Sequence, residues 1–281
     1  MKPKAEMIDP RAMSAAERDQ LWHFFSRIVD RSRDDFERAL ASFPEVRIWR
    51  DPQTGVVSGF AASEWMQVEV AGRPVPVIYV GWVAVAPELR NRGMAWRDGL
   101  ARSWKKALLR RGPAPYVIFG ASTFKSYRSL VRYAPACWPQ PDRPMPPHVA
   151  AIVHAVMLAQ REKNYDPAQG VIRRFGKQRY REGVYADTPE VLADPLVAYY
   201  AARNPGQHEG DTLLIAYQLT WRNMLQSALR FLRRKPVSAA PRRPAAAPLA
   251  TALHHADPTA AANVSQFSVE PEDAGVQSAE A

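Results

Sequence analysis

Apolar positions recur every three to four residues through the first forty residues of the chain. Leu21, Phe24, Phe25 and Ile28 follow Ser14-Ala-Ala-Glu17, whose Ser and Glu have the spacing of a capping box, and together they predict a helix. Ser32-Arg-Asp-Asp35 opens a second helix with Phe36, Leu40 and Phe43 on one face. The pattern then changes to strands. Residues 46–49 read as a short strand, 51–55 as a turn, and 56–70 as a long strand with Gly59 marking a bulge or bend. Ala71-Gly-Arg-Pro74 turns the chain back into a strand over 75–85. Helical spacing returns at Trp96, Leu100, Trp104 and Leu108 and stops near Gly112-Pro113. Residues 116–119, an apolar run of strand length, are most simply a buried parallel neighbour of the 75–85 strand, and 124–133 read as a further helix.

Beyond residue 134 the pattern loosens. Residues 135–147 are proline-rich, 147–163 helical, and 165–203 polar and turn-laden, before 211–220 supply a closing strand. Residues 221–235 form a basic amphipathic helix without an acidic residue, striped by Trp221, Met224, Leu225, Leu229 and Leu232. Packing onto the domain is the simpler reading of that stripe. Attachment to an anionic membrane surface or a nucleic acid is the alternative. From 236 onward Ala, Pro and Ser dominate, which predicts a disordered tail over 236–281. The organisation expected is one domain over 1–235 with an insertion at about 135–210.

Composition narrows the class only partly. The chain has 281 residues and a formal net charge of +10, but the basic residues are scattered, with one cluster at Arg230, Arg233, Arg234 and Lys235. The charge suits a phosphate-bearing ligand as well as a nucleic acid, and the latter is disfavoured. A single cysteine, Cys137, excludes an internal disulfide and a cysteine-based zinc site, and it suits the cytoplasm. The N-terminus shows no apolar signal segment, and the apolar run 149–159 is too short to span a bilayer. His148, His154 and His208 lack metal-site spacing, so no metal is expected. No Gly-x-Ser-x-Gly elbow is present, which removes support for a hydrolase.

The chemistry concentrates at 79–95. A β-branched strand meets Pro87, then the polar turn Arg90-Asn91-Arg92-Gly93-Met94-Ala95, then a helix. Glycine in a strand–turn–helix junction lets a pyrophosphate approach backbone N–H groups and the positive end of the helix dipole. The pattern is neither Gly-x-Gly-x-x-Gly nor a P-loop. Val83-x-Val85-x-Pro87 followed by Arg90-x-x-Gly93-x-Ala95 resembles the acyl-CoA signature of the GCN5-related N-acetyltransferases. The resemblance covers about residues 10–134 plus the closing strand. It implies an α+β fold with a mixed, splayed β-sheet and helices on both faces. It also implies acetyl-CoA or another acyl-CoA as co-substrate, with Val83, Ala84 and Val85 along the pantetheine and Arg90, Asn91, Arg92, Gly93, Met94 and Ala95 around the pyrophosphate.

Acyl transfer to an amine needs a base, an oxyanion donor and an acid for the leaving thiolate. The family often supplies the acid from a helix tyrosine in Asn-x-x-Ala-x-x-x-Tyr. Here Ser126-x-x-Ser129-x-x-x-Tyr133 has that spacing, so Tyr133 is the candidate acid and Tyr127 the fallback. Residues 75–86 contain no acidic side chain for the base. Glu64 is the candidate, with Glu69 or a water ordered by Tyr79 as alternatives. The acceptor is a small-molecule or peptide amine, which the 135–210 segment would cover as a lid or merely flank as a decoration. Two other functions remain open: an acyl-CoA sensor or scaffold without turnover, and a basic membrane-surface or nucleic-acid module.

Overall fold

The computed structural model describes residues 4–89, 94–109, 112–134, 136–181 and 193–233. The proposed tail, 236–281, lies outside the described residues.

The helix signals translate directly. The Ser14 hydroxyl accepts from the Glu17 amide while the Glu17 carboxylate accepts from the Ser14 amide at 2.8 Å, starting α1 (Ala15–Ser26). Ser32 caps α2 (Arg33–Ala41), which buries Phe36 and Leu40. The other helices are α3 (Met94–Leu109), α4 (Phe124–Tyr133), α5 (Pro147–Ala159), α6 (Pro195–Arg203) and α7 (Trp221–Leu232).

The strands are β1 (Lys4–Ile8), β2 (Val29–Asp30), β3 (Glu45–Arg50), β4 (Val57–Val70), β5 (Arg73–Val85), β6 (Tyr116–Ala121), β7 (Tyr165–Asp166), β8 (Val171–Ile172), β9 (Arg179–Tyr180) and β10 (Thr212–Gln218). Among the described residues they form a mixed eight-stranded sheet in the order β1-β3-β4-β5-β6-β10-β8-β7 and a separate β2-β9 ribbon. The β5–β6 pair is parallel and the other pairs in the sheet are antiparallel. The fold is α+β, a mixed sheet with helices on both faces.

Strand alternation sorts the core into two layers. Val46, Ile48, Phe60, Val77, Leu214 and Ala216 meet α1, α2 and α5 on one face, while Ile78, Val117, Leu213 and Ile215 meet α4, α6 and α7 on the other. Trp104 and Ala107 of α3 pack on that second layer.

Four details differ from the sequence reading. β1, a half-exposed edge strand paired with β3, carries too few apolar residues to show a pattern. The register shift expected at Gly59 falls on Ser58, whose hydroxyl donates to the Trp49 carbonyl at 3.0 Å. Gly59 itself is needed for close approach, since a Cβ there would lie 2.8 Å from the Ala84 carbonyl oxygen. The helix expected to reach 163 ends at Ala159, and Gln160 caps it before Arg161 adopts a positive φ of 53°. Finally, of the stripe predicted for α7 only Met224 is buried, and the helix packs through Met224, Ser227 and Phe231. Tyr217 and Ser227 share a 2.8 Å hydroxyl hydrogen bond, and Trp221, Leu225, Leu229 and Leu232 stay exposed.

Candidate active site

The feature that organises the site is the divergence of the two parallel strands. The β5–β6 ladder runs only from Val77/Tyr116 to Val80/Phe119, although β5 continues to Val85 and β6 to Ala121. Divergence begins where β5 holds one residue too many. Ala62 pairs with Trp82 and Ser63 with Val80, so Gly81 is a bulge. A side chain there is impossible without rearrangement, because a Cβ at position 81 would sit 2.2 Å from Cζ of buried Phe43. The bulge also resets the alternation. Tyr79, Trp82 and Ala84 face the α1/α2/α5 layer, and Val83, half exposed, belongs to the opposite face.

Of the residues expected along the donor, Val83, Ala84 and Val85 therefore lie on the stretch of β5 beyond the β6 ladder. Arg90, Asn91, Arg92 and Gly93 lie outside the described residues. Met94 and Ala95 open α3. That helix is moored over the face of β3 opposite Val46 and Ile48. Its Asp98 takes both arms of Arg47 and accepts from the Trp49 indole at 2.8 Å, and Arg102 approaches Glu45 at 3.6 Å.

A polar cluster occupies the other face. Glu64 and Tyr79 are cross-strand partners on β4 and β5, and β4 runs unbroken through them. Gln160, at the end of α5, donates to Glu64 at 2.8 Å. The Tyr79 ring stacks on Phe43, with centroids 6.2 Å apart, and its burial pushes the hydroxyl pKa up to about 12, so the phenol stays protonated through the neutral range. Arg174, Glu162 and Glu64 are the charges that act on that hydroxyl. Arg174 pairs with Glu162 at 3.0 Å. The Arg31 guanidinium carbon sits over the Trp82 ring, 5.1 Å from its centroid, and Arg31 donates to the Gln178 side chain at 3.0 Å. Trp82 is in turn stacked on Phe25 and Phe36, at 5.2 and 5.4 Å. Glu69 sits exposed beside the β4–β5 turn, paired across strands with Pro74.

Tyr133 ends α4, buried against Phe231 of α7 with ring centroids 5.7 Å apart. Tyr127 is buried too, and its hydroxyl donates to the Pro139 carbonyl at 3.0 Å, an internal use for the fallback acid. Ser126 shares a 3.0 Å hydroxyl contact with the α4 cap, Thr123. The Cys137 thiol is pushed up to about 12 by burial and is inert as a nucleophile at neutral pH. Arg31, Gln160, Glu162 and Arg174 had no signal in the sequence, because the β2–β9 ribbon and the end of α5 bring them to β4 and β5 from distant segments.

The parallel β5–β6 pair, diverging at Gly81 within an otherwise antiparallel sheet, makes this an α+β fold. Solved structures with a partial likeness to the chain include acetyltransferases. The GCN5-related N-acetyltransferase from Kribbella flavida is 23% identical over 46% of this chain and 33% of its own, with a TM-score of 0.32, so the match spans about a third of that protein. The NatC complex bound to Gag peptide and CoA aligns over 78% of this chain and 100% of its own at 14% identity and a TM-score of 0.37. AAC(6')-Iy in complex with the bisubstrate analogue CoA-S-monomethyl-acetylneamine aligns over 47% and 90% at 18% identity and a TM-score of 0.33. No protein-family profile and no curated protein matches the sequence.

Proposed function

We propose that this chain is an acyl-CoA-dependent N-acyltransferase that passes an acetyl or related acyl group directly from CoA to an amine. The observation that carries the reading is the end of the β5–β6 ladder at Val80/Phe119 while β5 runs on to Val85. Alternate residues of a strand direct their N–H and C=O groups to each edge, so a strand leaving its neighbour offers hydrogen bonds to an extended, amide-containing ligand. A pantetheine arm is such a ligand. Arg90, Asn91, Arg92, Gly93, Met94 and Ala95 would then take the pyrophosphate at the start of α3.

With the donor entering from the α3 side, the thioester carbonyl meets the acceptor on the opposite face, beside Glu64 and Tyr79. The amine nitrogen attacks that carbonyl and the C–S bond breaks. Glu64 takes the proton lost by nitrogen, directly or through a water held with Tyr79. Tyr133 gives its proton to the thiolate, and exchange with solvent restores both residues. The single buried cysteine supports a reducing compartment, the cytoplasm. No described helix is long and apolar enough to cross a membrane.

Release of free CoA thiol from acetyl-CoA, measured against a panel of amines, tests this reading. Turnover should require an amine, and Glu64→Gln and Tyr133→Phe should each lower kcat by about 10²-fold or more, the usual size of a general acid or base contribution. Acetyl-CoA binding with no turnover on any amine would instead mark a donor-binding sensor, and full rates in both variants would remove Glu64 and Tyr133 from the chemistry.

A further inference from the structure

The face opposite α3 holds more positive charge than its own carboxylates use. Arg31 and Arg174 are both half-buried, and each lies close enough to act on the other's charge. Arg174 has one carboxylate, Glu162, on its NH1 nitrogen. Its Nε is shut off from solvent and has no hydrogen-bond partner among the described residues. Arg31 has no carboxylate within ion-pair distance among the described residues; its partners are the Trp82 ring and the amide oxygen of Gln178. The carboxylates that act on Arg31 through space are committed elsewhere. Asp35 is paired with Arg38 at 2.8 Å, and Glu162 with Arg174 at 3.0 Å. For Arg31, burial and the like charge of Arg174 outweigh the pull of Asp35 and Glu162.

The cluster is also held firmly. Asp211, itself buried, accepts from the Arg174 backbone amide at 2.6 Å and from the Arg173 guanidinium at 3.0 Å. The next residue, Phe175, takes a positive φ of 49°, a costly conformation for a bulky side chain. The stacked Phe25–Trp82 pair gives Arg31 a rigid floor. A guanidinium held over an aromatic ring gives up none of its N–H donors to that contact, and its fork of donors suits a planar, two-oxygen anion.

We propose that the acceptor is a small amine that carries a carboxylate, and that Arg31 and Arg174 hold that carboxylate on the face of Glu64 and Tyr79. This rests on the acyltransferase reading and names its substrate class. The carboxylate supplies the missing counter-charge, and fixing it at Arg31 directs the amine toward Glu64.

Two measurements on the full-length protein test the proposal. The first compares thiol release with free L-amino acids and with the matching L-amino-acid amides. Charge-assisted hydrogen bonds of the usual strength predict that wild type favours the acids by about ten- to a hundredfold in kcat/KM. Arg31→Gln should bring the acids down to the level of the amides, mainly through KM, and Arg31→Lys should recover part of the difference. Equal kcat/KM for acids and amides, a preference surviving in both Arg31→Gln and Arg174→Gln, or turnover of phosphoethanolamine ahead of the acids overturns it. The second follows the guanidinium Nε–H resonances of isotope-labelled protein during titration with the same compounds without acetyl-CoA. Acids should shift the Arg174 resonance and amides should not; no acid-specific shift overturns the proposal whether or not any compound turns over. Acetyl-CoA calorimetry on the same samples separates the two claims. Donor binding without acid selectivity removes the acceptor assignment alone, and acid-specific shifts without donor binding remove the donor reading alone.

Discussion

Gly81 does the most with the least. It adds one residue to β5, ends the pairing with β6, and turns Trp82 instead of position 81 toward the aromatic layer of Phe25 and Phe36. The space its side chain would need is taken by the Phe43 ring, which is stacked on Tyr79. Gly81→Val should therefore push Phe43 and Tyr79 apart. We expect a loss of about 1–3 kcal/mol in urea unfolding, the usual cost of overpacking a core, together with weaker acetyl-CoA binding. Unchanged stability and affinity would mean that the bulge is not what shapes the cleft. Gly81 was hard to read in the sequence because it sits in a run of Val, Ile, Tyr and Trp that looks like one continuous strand. Gly59 drew attention instead, and it lies opposite Val85, three residues beyond the Ala62–Trp82 pair in β4.

Among the elements, α3 is held in place by more than packing. Hydrophobic contact with the second layer leaves a helix free to slide, whereas a two-armed Arg47–Asp98 pair with the Trp49 indole does not. Asp98→Ala removes those contacts and strands a half-buried guanidinium. A stability loss of about 2–3 kcal/mol is expected from leaving such a charged group without its partner. Acetyl-CoA affinity should fall as well, while the amine KM stays near wild type. A loss of stability with unchanged donor affinity would show that the mooring does not position the donor turn. Most elements up to Tyr133 were legible, since capping residues and apolar periods are local signals. The edge strand β1 was not, having little apolar surface to bury, and α7 misled because its most apolar stripe is the one left exposed.

At the scale of the molecule, the sheet separates two tasks. One face carries α3; the other carries Glu64, Tyr79, Arg31 and Arg174, assembled from the α1–α2 connection, β4, β5 and the chain between α5 and β10. The donor residues we propose are contiguous, 83–95, and so could be named from the sequence. Acceptor chemistry depends on the β2–β9 ribbon joining residues about 150 positions apart, a pairing no local pattern reveals. The proposed acyl transfer depends on an acyl-CoA binding at the divergent strands and residues 90–95. Calorimetric titration of acetyl-CoA into the wild-type protein and into Gly93→Trp tests it most directly. Saturable heat with the wild type and none with Gly93→Trp is the predicted result; no heat with the wild type, or equal affinity in the variant, would contradict it.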